Sequence, residues 1–403
     1  QAVEGFEHAL GVDPNVAEVC NNLGVAHYRL HQFDEARAAF EKAIELDPNH
    51  VGACTNLGNL DSDAGNTDDA LGSYGAALEF DLDYEVAHFN RAGTLLRVGR
   101  FDEGWREYEW RRKFEDFPKI AKTLRKPVWD GTELQGKRVL VHEEQGFGDS
   151  IQFIRYLPLI AERGGRVTLA VRSKLARLFD AVEGVECVVA EGQPLGDYNC
   201  HTSLASQPLA FGTTAETILA TVPYLRAEDG LVEVWNERVG MEGFRVGVNW
   251  QGNPISSVDF GRSVPLACFQ PLAVVSGVRL ISLQVMHGLD QLDYLPQGMR
   301  VETLGNDFNA GPDVFIDTAA VMMNLDLIVT SDTAVAHLAG ALGRPVWVVL
   351  KTSAEWRWEL DRDESPWYPT MRLFRQSSPG DWLEVFARVG EKLKALIDGR
   401  AVS

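Results

Sequence analysis

A short polar segment separates a predicted strand, 325–330, from a predicted helix of small residues that contains His337. The segment and the first residue of the helix are Ser331, Asp332, Thr333 and Ala334. Free N–H groups and the positive end of such a helix suit a diphosphate, and His337, one turn further on, could add a donor. The same pattern is typical of a well-capped helix inside a protein core.

A second turn follows the predicted strand 138–142 and reads Glu-Glu-Gln-Gly-Phe-Gly-Asp-Ser from position 143. Gly146 and Gly148 indicate a turn. Asp149 is a residue type that often caps the start of a helix, and the apolar spacing from Asp149 to Ile160 predicts that helix.

A third turn follows the predicted strand 245–250. It contains Asn253 and Pro254, and further on Arg262, which precedes a Ser-Val-Pro sequence.

These turns belong to two series of alternating strands and helices on either side of residues 221–243. The predicted strands are 138–142, 167–171 and 185–189, then 245–250, 279–283, 325–330 and 346–350. Two such series predict two doubly wound α/β domains with a cleft between them. Ligands of open α/β sheets bind at the carboxyl ends of the strands, where the three turns lie.

In this order and on these turns, the motifs resemble those of the heptosyltransferase-like (family 9) glycosyltransferases over roughly residues 137–395. The segment from Ser331 to His337 is similar to that family's nucleotide-binding motif, with Ala334 in place of its Gly. Arg262 stands where those enzymes have a phosphate-binding Lys, so charge is kept but geometry changes. The loop at Asp149 is similar to their Gly-Asp loop, whose Asp faces the acceptor.

The resemblance implies a GT-B fold of two facing Rossmann-like domains. It also implies an inverting, metal-independent transfer of sugar from a nucleotide-diphospho-sugar to an acceptor hydroxyl, with no other cofactor. Asp149 is the expected base, and His142 and Glu144 are the reserve candidates. The expected donor-site residues are Gly146, Gly148, Asn253, Arg262, Ser331, Asp332, Thr333, Ala334 and His337.

Two other functions stay open. The chain could be a tetratricopeptide interaction scaffold whose transferase half is degenerate, or a sugar-nucleotide epimerase of GT-B form. The epimerase would need a further acid/base pair that the sequence does not reveal.

The first hundred residues repeat with a step of 34 positions. Phe6, Phe40, Tyr74 and Tyr108 share one position of the repeat, and small residues such as Gly24 and Gly58 share another. This is the tetratricopeptide period, in which helix pairs stack into a solenoid. The first helices are expected to begin at Ala17, Val51 and Glu85. Residues 1–16 supply only half a repeat, which predicts further repeats upstream in the natural protein.

Position six of each first helix is an asparagine: Asn22, Asn56 and Asn90. A row of carboxamides can bind an extended peptide backbone of any sequence, although Asn at this position is also common in such repeats generally. The row resembles the asparagine ladder of the O-linked N-acetylglucosamine transferases, and the whole layout resembles bacterial tetratricopeptide–glycosyltransferase fusion proteins.

The predicted organisation is an α-solenoid (1–116), a connector (117–136) and two Rossmann-like domains (137–235 and 236–380). A final segment, 381–403, is expected to carry a helix that returns toward the first domain. Trp356, Trp358, Trp367 and Tyr368 form an aromatic cluster that could stack on a ligand or simply pack.

Composition narrows the partners and the compartment. Residues 1–100 hold 17 Asp and Glu against 6 Lys and Arg, within a net charge of −20 for the chain. This charge disfavours nucleic acid as a partner and permits a basic or neutral peptide. The five cysteines form no close pairs, so a metal site is not expected. The same spacing is consistent with a reducing cytoplasm, which is the expected compartment. No apolar run is long enough to span a bilayer.

Overall fold

The computed structural model describes residues 2–255 and 259–399, and these divide into two compact units. The first unit lies within residues 1–117 and includes 355–360, and the second lies within 118–354 and 361–403. Residue 1 and residues 400–403, which belong to the predicted first and last segments, lie outside the described residues.

The first unit is a series of antiparallel helix pairs with the predicted register. Its helices are α1 (Ala2–Val12), α2 (Ala17–Arg29), α3 (Phe33–Leu46), α4 (Val51–Ala64), α5 (Thr67–Phe80), α6 (Glu85–Arg97) and α7 (Phe101–Tyr108). The first helices of three successive repeats therefore begin at the three predicted residues. A 3₁₀ turn, Glu109–Lys113, follows α7.

Glycine allows the two helices of a repeat to approach each other closely. A Cβ atom on Gly24 would lie 2.5 Å from the Phe40 ring, and one on Gly58 would lie 2.6 Å from the Tyr74 ring. Both rings are buried, with 1% of their surface exposed. The 34-residue step thus places a small residue on α2 or α4 opposite an aromatic residue on α3 or α5.

The aromatic cluster predicted from sequence is divided between the two units. Trp356 belongs to the first unit, where its ring packs edge-on against Trp105 at a centroid distance of 5.2 Å. Trp367 and Tyr368 belong to the second unit, and all three are buried. These side chains therefore pack in protein cores, as the simpler of the two interpretations predicted.

The second unit contains two parallel sheets. The first sheet is formed by β1 (Arg138–His142), β2 (Arg166–Val171), β3 (Val185–Ala190) and β4 (Cys200–Ser203), in the order β3-β2-β1-β4. Its helices are α8 (Lys119–Thr123), α9 (Phe147–Phe153), α10 (Leu157–Glu162), α11 (Ser173–Phe179) and α12 (Gln207–Ala210). The connector joins this sheet, because the Trp129 N–H donates to His201 O at 2.8 Å.

The second sheet has the order β10-β9-β8-β5-β6-β7. Its strands are β5 (Phe244–Asn249), β6 (Val278–Ser282), β7 (Val301–Glu302), β8 (Leu327–Ser331), β9 (Val346–Leu350) and β10 (Met371–Arg375). The helices of this half are α13 (Asp229–Val239), α14 (Gln270–Ala273), α15 (Ile316–Met323), α16 (Ala334–Ala341) and α17 (Trp382–Ile397).

Both strand orders are those of Rossmann folds. In chain order within each sheet they read 3-2-1-4 and 3-2-1-4-5-6, and every pairing is parallel. The order reverses between β1 and β4 and between β5 and β8, and ligands bind beyond the carboxyl ends at such switch points. The predicted fold class, a solenoid followed by two Rossmann-like sheets, is confirmed.

Some elements differ from the sequence prediction. The helix expected from Asp149 to Ile160 is interrupted by a 3₁₀ turn, Ile154–Tyr156, because Pro158 has no N–H to continue the α-helical ladder. Strands β4, β7 and β10 were not predicted.

Helix α17 packs on the second sheet. Its buried residues Val385, Phe386 and Val389 join a core with Phe269 and Trp347. This packing differs from the expected return toward the first domain. The reason lies in the sequence of the helix, whose apolar stripe matches the apolar surface left by β9, β10 and α14.

Candidate active site

The switch point of the second sheet is tied together by Asn249, the last residue of β5. Its Oδ1 atom accepts a hydrogen bond from Thr333 Oγ1 at 3.0 Å, so the turn after β8 is fixed to the end of β5. Its Nδ2 atom donates to Gln284 Oε1 at 2.9 Å. The turns after β5, β6 and β8 therefore form one polar surface.

Gln284 is a positioning residue that sequence reasoning missed. Its Oε1 atom also accepts from the backbone N–H groups of Trp250 and Gln251, both at 3.0 Å, and its Nε2 atom donates to Gln251 O. The side chain is 5% exposed. The only signal in the sequence was a polar residue directly after a predicted strand.

The start of α16 has no side-chain cap. Thr333 occupies the N-cap position, but its hydroxyl is directed to Asn249 and the helix receives no side-chain hydrogen bond there. The Ser331 hydroxyl is fully buried and has no hydrogen-bond partner among the described residues. The first N–H groups of α16 are thus left without a side-chain cap, and they carry the positive end of the helix dipole.

Arg262 lies beside the turn that precedes this helix, where it is paired with Asp332. Its Nη2 atom is 2.9 Å from Asp332 Oδ1 and also donates to Asp332 O. The Asp332 side chain is 6% exposed and that of Arg262 is 21% exposed. The ion pair fixes the guanidinium beside the α16 amides, and it offsets part of the positive charge there.

Two further residues follow β5 and β9 at the same edge. Asn253 is exposed, and its Oδ1 atom accepts from the Ile255 N–H at 3.2 Å. Its neighbour Gly252 faces Thr333, because a Cβ there would lie 3.6 Å from Thr333 Cγ2. Lys351, which sequence reasoning missed, donates to Phe260 O at 3.3 Å. Its place directly after a predicted strand was the available signal.

At the first sheet, Asp149 is the third residue of α9 and not its N-cap residue. The N-cap is Gly146, whose backbone N–H donates to Asp149 Oδ2 at 2.9 Å. The predicted N-cap, Asp149, is therefore three residues beyond the observed one, and its carboxylate caps the helix from inside its first turn, as in one half of a capping box. Asp149 is partly exposed.

Gly148 brings the two switch points together. A Cβ atom on Gly148 would lie 2.8 Å from His337 Cδ2 and 3.6 Å from the Cα atom of Ala334. Helices α9 and α16 pack against each other at this place. The loop that carries Asp149 and the start of α16 are thus neighbours, which only the absence of a side chain at Gly148 permits.

His337 is buried, with 5% of its surface exposed, and its ring is held from the other side by Tyr368. The Nδ1 atom lies 2.9 Å from Tyr368 Oη. The ring is therefore fixed between Tyr368 and Gly148.

The reserve candidates for the base lie deeper than Asp149. His142 is 2% exposed at the end of β1, and its ring centroid is 6.0 Å from that of His201 on β4. Glu144 is also 2% exposed. Its neighbour Glu143 is bound by Arg172, with Nε 2.7 Å from Oε1.

A group of buried polar residues surrounds these positions at the first switch point. Sequence reasoning missed His201, because β4 is a short polar strand without periodicity, and it missed Gln207. The Gln207 Nε2 atom donates to Thr202 Oγ1 at 3.0 Å and to Ser203 O at 2.7 Å. Buried polar side chains at a carboxyl edge are typical of a polar ligand site.

The three predicted peptide-binding asparagines lie at equivalent positions of α2, α4 and α6, and each is partly exposed. Asn22 Nδ2 donates to Glu18 Oε1 at 3.2 Å, and Asn56 Nδ2 donates to Asn21 Oδ1 at 2.9 Å. At Asn90 it is the backbone oxygen that accepts, from Thr94 Oγ1 at 3.3 Å. The structure places the row in register across successive repeats.

Comparison with known proteins supports the repeat assignment. Residues 17–50 match the family model described as tetratricopeptide repeat. The chain is 28% identical to protein FlbA of Caulobacter vibrioides over 338 residues. The matched region covers 77% of this chain and 55% of that protein. The chain thus spans about half the length of this curated relative.

Solved structures similar to the second unit include two transferases. One is the ADP-heptose LPS heptosyltransferase II of E. coli, with 15% identity, a TM-score of 0.48, and coverage of 65% of this chain and 99% of that one. The other is a family 9 glycosyl transferase from Veillonella parvula, with 12% identity, a TM-score of 0.47, and coverage of 62% and 88%.

Two kinds of feature are absent from the part of the chain that the structure describes. Within residues 2–255 and 259–399, no helix is long and apolar enough to cross a membrane. In the same part of the chain, no cluster of three or more His, Cys, Asp and Glu side chains is arranged to hold a metal ion.

Proposed function

We propose that the second unit is a glycosyltransferase that moves a sugar from a nucleotide-diphospho-sugar to an acceptor hydroxyl. The observation that carries the proposal is the contact of Gly148 with His337 and Ala334, which joins the carboxyl edges of two Rossmann sheets at their switch points. One edge offers helix amides and cations, and the other offers a carboxylate and buried polar groups. The order of the sequence motifs supports the same function.

The donor site in this proposal is the start of α16. The diphosphate lies against the N–H groups that follow Thr333, where the helix dipole favours negative charge. His337 and Arg262 supply further donors, and Lys351 adds a cation at the same edge. Together these groups stabilise the leaving diphosphate in the transition state without a requirement for a metal ion.

The acceptor lies on the side of α9. Its hydroxyl oxygen forms a bond to the anomeric carbon while the bond from that carbon to the diphosphate oxygen breaks. The electron pair of the broken bond leaves with the nucleoside diphosphate, and the proton of the hydroxyl passes to Asp149. Attack opposite the leaving group inverts the anomeric carbon.

The repeats supply the binding surface for the acceptor in this proposal. Their row of asparagines and their excess of acidic residues suit an extended protein or peptide of neutral or basic character. A scaffold with an inactive cleft is the alternative, and it predicts binding of a partner without nucleotide binding.

Calorimetric titration with UDP, ADP, GDP and dTDP tests the donor site. We expect one of them to bind the parent protein, and Arg262→Ala or His337→Ala to weaken that binding by roughly 1–3 kcal/mol, the contribution of a charge-assisted hydrogen bond. Arg166→Ala is the control, because its exposed pair with Glu186 is at the opposite end of the first sheet. Unchanged affinity in both test variants would contradict the placement, and a parent that binds none of the four would favour the scaffold.

A further inference from the structure

A continuous chain of polar contacts leads from a buried guanidinium to His337. Arg155 Nη2 donates to Tyr224 Oη at 2.8 Å. The Tyr224 oxygen lies 3.4 Å from Tyr368 Oη, which in turn lies 2.9 Å from His337 Nδ1. The chain therefore joins the 3₁₀ turn after α9, the linker between the sheets, the segment before β10, and α16.

Arg155 is charged and is buried among neutral acceptors. Its N–H groups donate to the backbone oxygens of Gln152 at 2.9 Å, of Trp367 at 2.8 Å and of Leu219. Burial by itself would lower the pKa of the guanidinium, but interactions with Tyr224 and Tyr368 raise that pKa above its ordinary value. A full positive charge thus persists inside the protein, 6% exposed.

This charge lies over the ring of Tyr368. The guanidinium carbon of Arg155 is 4.5 Å from the ring centroid. A cation beside a phenol stabilises negative charge on its oxygen and so strengthens the hydroxyl as a hydrogen-bond donor. Tyr368 is held in this position by α16, because its ring lies 2.3 Å from where a Cβ atom on Gly340 would be.

The contact distances indicate where the protons go. Tyr224 accepts from Arg155, and its hydroxyl is the donor toward both Ile151 O at 3.0 Å and Tyr368 Oη at 3.4 Å. The Tyr368 proton is therefore not used in the contact with Tyr224. Tyr368 Oη lies closer to His337 Nδ1, at 2.9 Å, than to the Tyr224 oxygen, at 3.4 Å. Tyr368 therefore donates to Nδ1, and a neutral His337 must carry its own proton on Nε2.

We propose that Tyr368, under the charge of Arg155, is a positioning residue that holds His337 in the Nε2–H tautomer as a donor toward an anionic ligand. The Nε2 atom is on the Gly148 side of the ring, 3.4 Å from where a Cβ of that glycine would be. The ligand in this inference is the diphosphate of the proposed function, on which this part of the inference rests. The tautomer itself is a property of the free protein.

Nitrogen-15 NMR of the histidine rings tests the tautomer without any ligand. The signals of His337 are assigned by their loss in His337→Gln. We expect the parent at neutral pH to show Nε2 protonated and Nδ1 bare, and Tyr368→Phe to show a mixture of both tautomers. The phenylalanine ring retains the packing on Gly340, which near-ultraviolet circular dichroism checks. A parent with the proton on Nδ1 would overturn the proposal.

The matched control is Tyr224→Phe. It removes the phenol that Arg155 contacts directly but leaves Tyr368 beside His337, so we expect the parent tautomer to persist. If this variant changes the tautomer as much as Tyr368→Phe does, the tautomer depends on the packing of the whole group of contacts, and Tyr368 has no specific role.

Titration with the nucleoside diphosphate that binds the parent gives the second readout. Loss of one fixed donor should weaken binding about fivefold to tenfold in Tyr368→Phe, in line with roughly 1 kcal/mol for one hydrogen bond. If the parent shows the expected tautomer but Tyr368→Phe binds the nucleoside diphosphate with unchanged affinity, only the role of His337 in ligand binding is refuted. A parent that binds no nucleoside diphosphate would refute the proposed function, and the tautomer result would still stand or fall separately.

Discussion

At the scale of single residues, Asp149 makes a structural contact and is also accessible enough to act as the proposed general base. Its carboxylate accepts the Gly146 N–H inside the first turn of α9 and stays partly exposed beside the glycine that contacts His337. Burial separates it from His142 and Glu144, which are each 2% exposed. Access to an acceptor therefore favours Asp149 as the base in the proposed reaction.

Asp149→Asn separates the two roles. The asparagine oxygen can accept the same N–H, so we expect the melting temperature and nucleotide binding to change little. Without a group that takes a proton, sugar transfer should fall by about 10² to 10⁴, the typical contribution of a general base. Both are measured on the same preparation, with Asp130→Asn as a control at an exposed turn. Transfer at the parent rate would exclude Asp149 and direct attention to Glu144.

At the scale of elements, close approach depends on glycine in both units. Gly58 lets α4 approach α5, and Gly148 lets α9 approach α16. A side chain at either place would enter space that a ring already occupies. The sequence showed the first case through the 34-residue step, whereas the second joins residues that are 189 positions from each other and follows no period.

Gly58→Ala should loosen the second helix pair. The new methyl group would meet the Tyr74 ring at 2.6 Å, and overpacking of a core costs about 1–3 kcal/mol. Hydrogen exchange of the amides in α4 and α5 measures the local loss of stability. Gly72→Ala is the control, because that glycine in α5 is exposed and has open space around it. It should stabilise α5 by up to roughly 1 kcal/mol through helix propensity. Equal protection in both variants would show that the Tyr74 ring moves aside freely.

At the scale of the whole molecule, one chain carries a helical repeat unit and a two-sheet α/β unit. The excess of acidic over basic residues is largest in the repeats, where positions 1–100 hold 17 acidic and 6 basic residues. Arginine and lysine become more frequent after position 100. The proposed division of labour is that the repeats select the acceptor and the sheets carry out the transfer.

The triple change of Asn22, Asn56 and Asn90 to Ala tests this division. We expect KM for a protein acceptor to rise and the rate with a small acceptor to stay at the parent value, because only the first substrate reaches the repeats. Asn15, Asn49 and Asn66, changed together to Ala, form the control, since all three are exposed in turns of the same unit. A similar loss on both acceptors would indicate misfolding and not peptide recognition.

Features that depend on local pattern could be predicted from the sequence. The repeat register follows from a fixed step, and the bounds of β1 and β9 agree with the predicted strands 138–142 and 346–350. Continuous apolar runs bounded by turn residues predict such buried strands because every side chain in them must leave water. The turns at Asp149 and Thr333 were identifiable for the same reason, because they follow the predicted strands 138–142 and 325–330.

Tertiary structure alone decided which turns meet. Strand β4 is four residues long and polar, β7 has two residues, and β10 follows an aromatic segment, so none shows a period of its own. The order of the strands, and with it the switch points, depends on how these short strands pair. The contacts of His337 with Tyr368 and Gly148 and of Asn249 with Thr333 join distant positions, because hydrogen bonds and ring packing depend on proximity in space. Local periodicity does not predict which distant residues are close in space, because that proximity arises only when the chain folds.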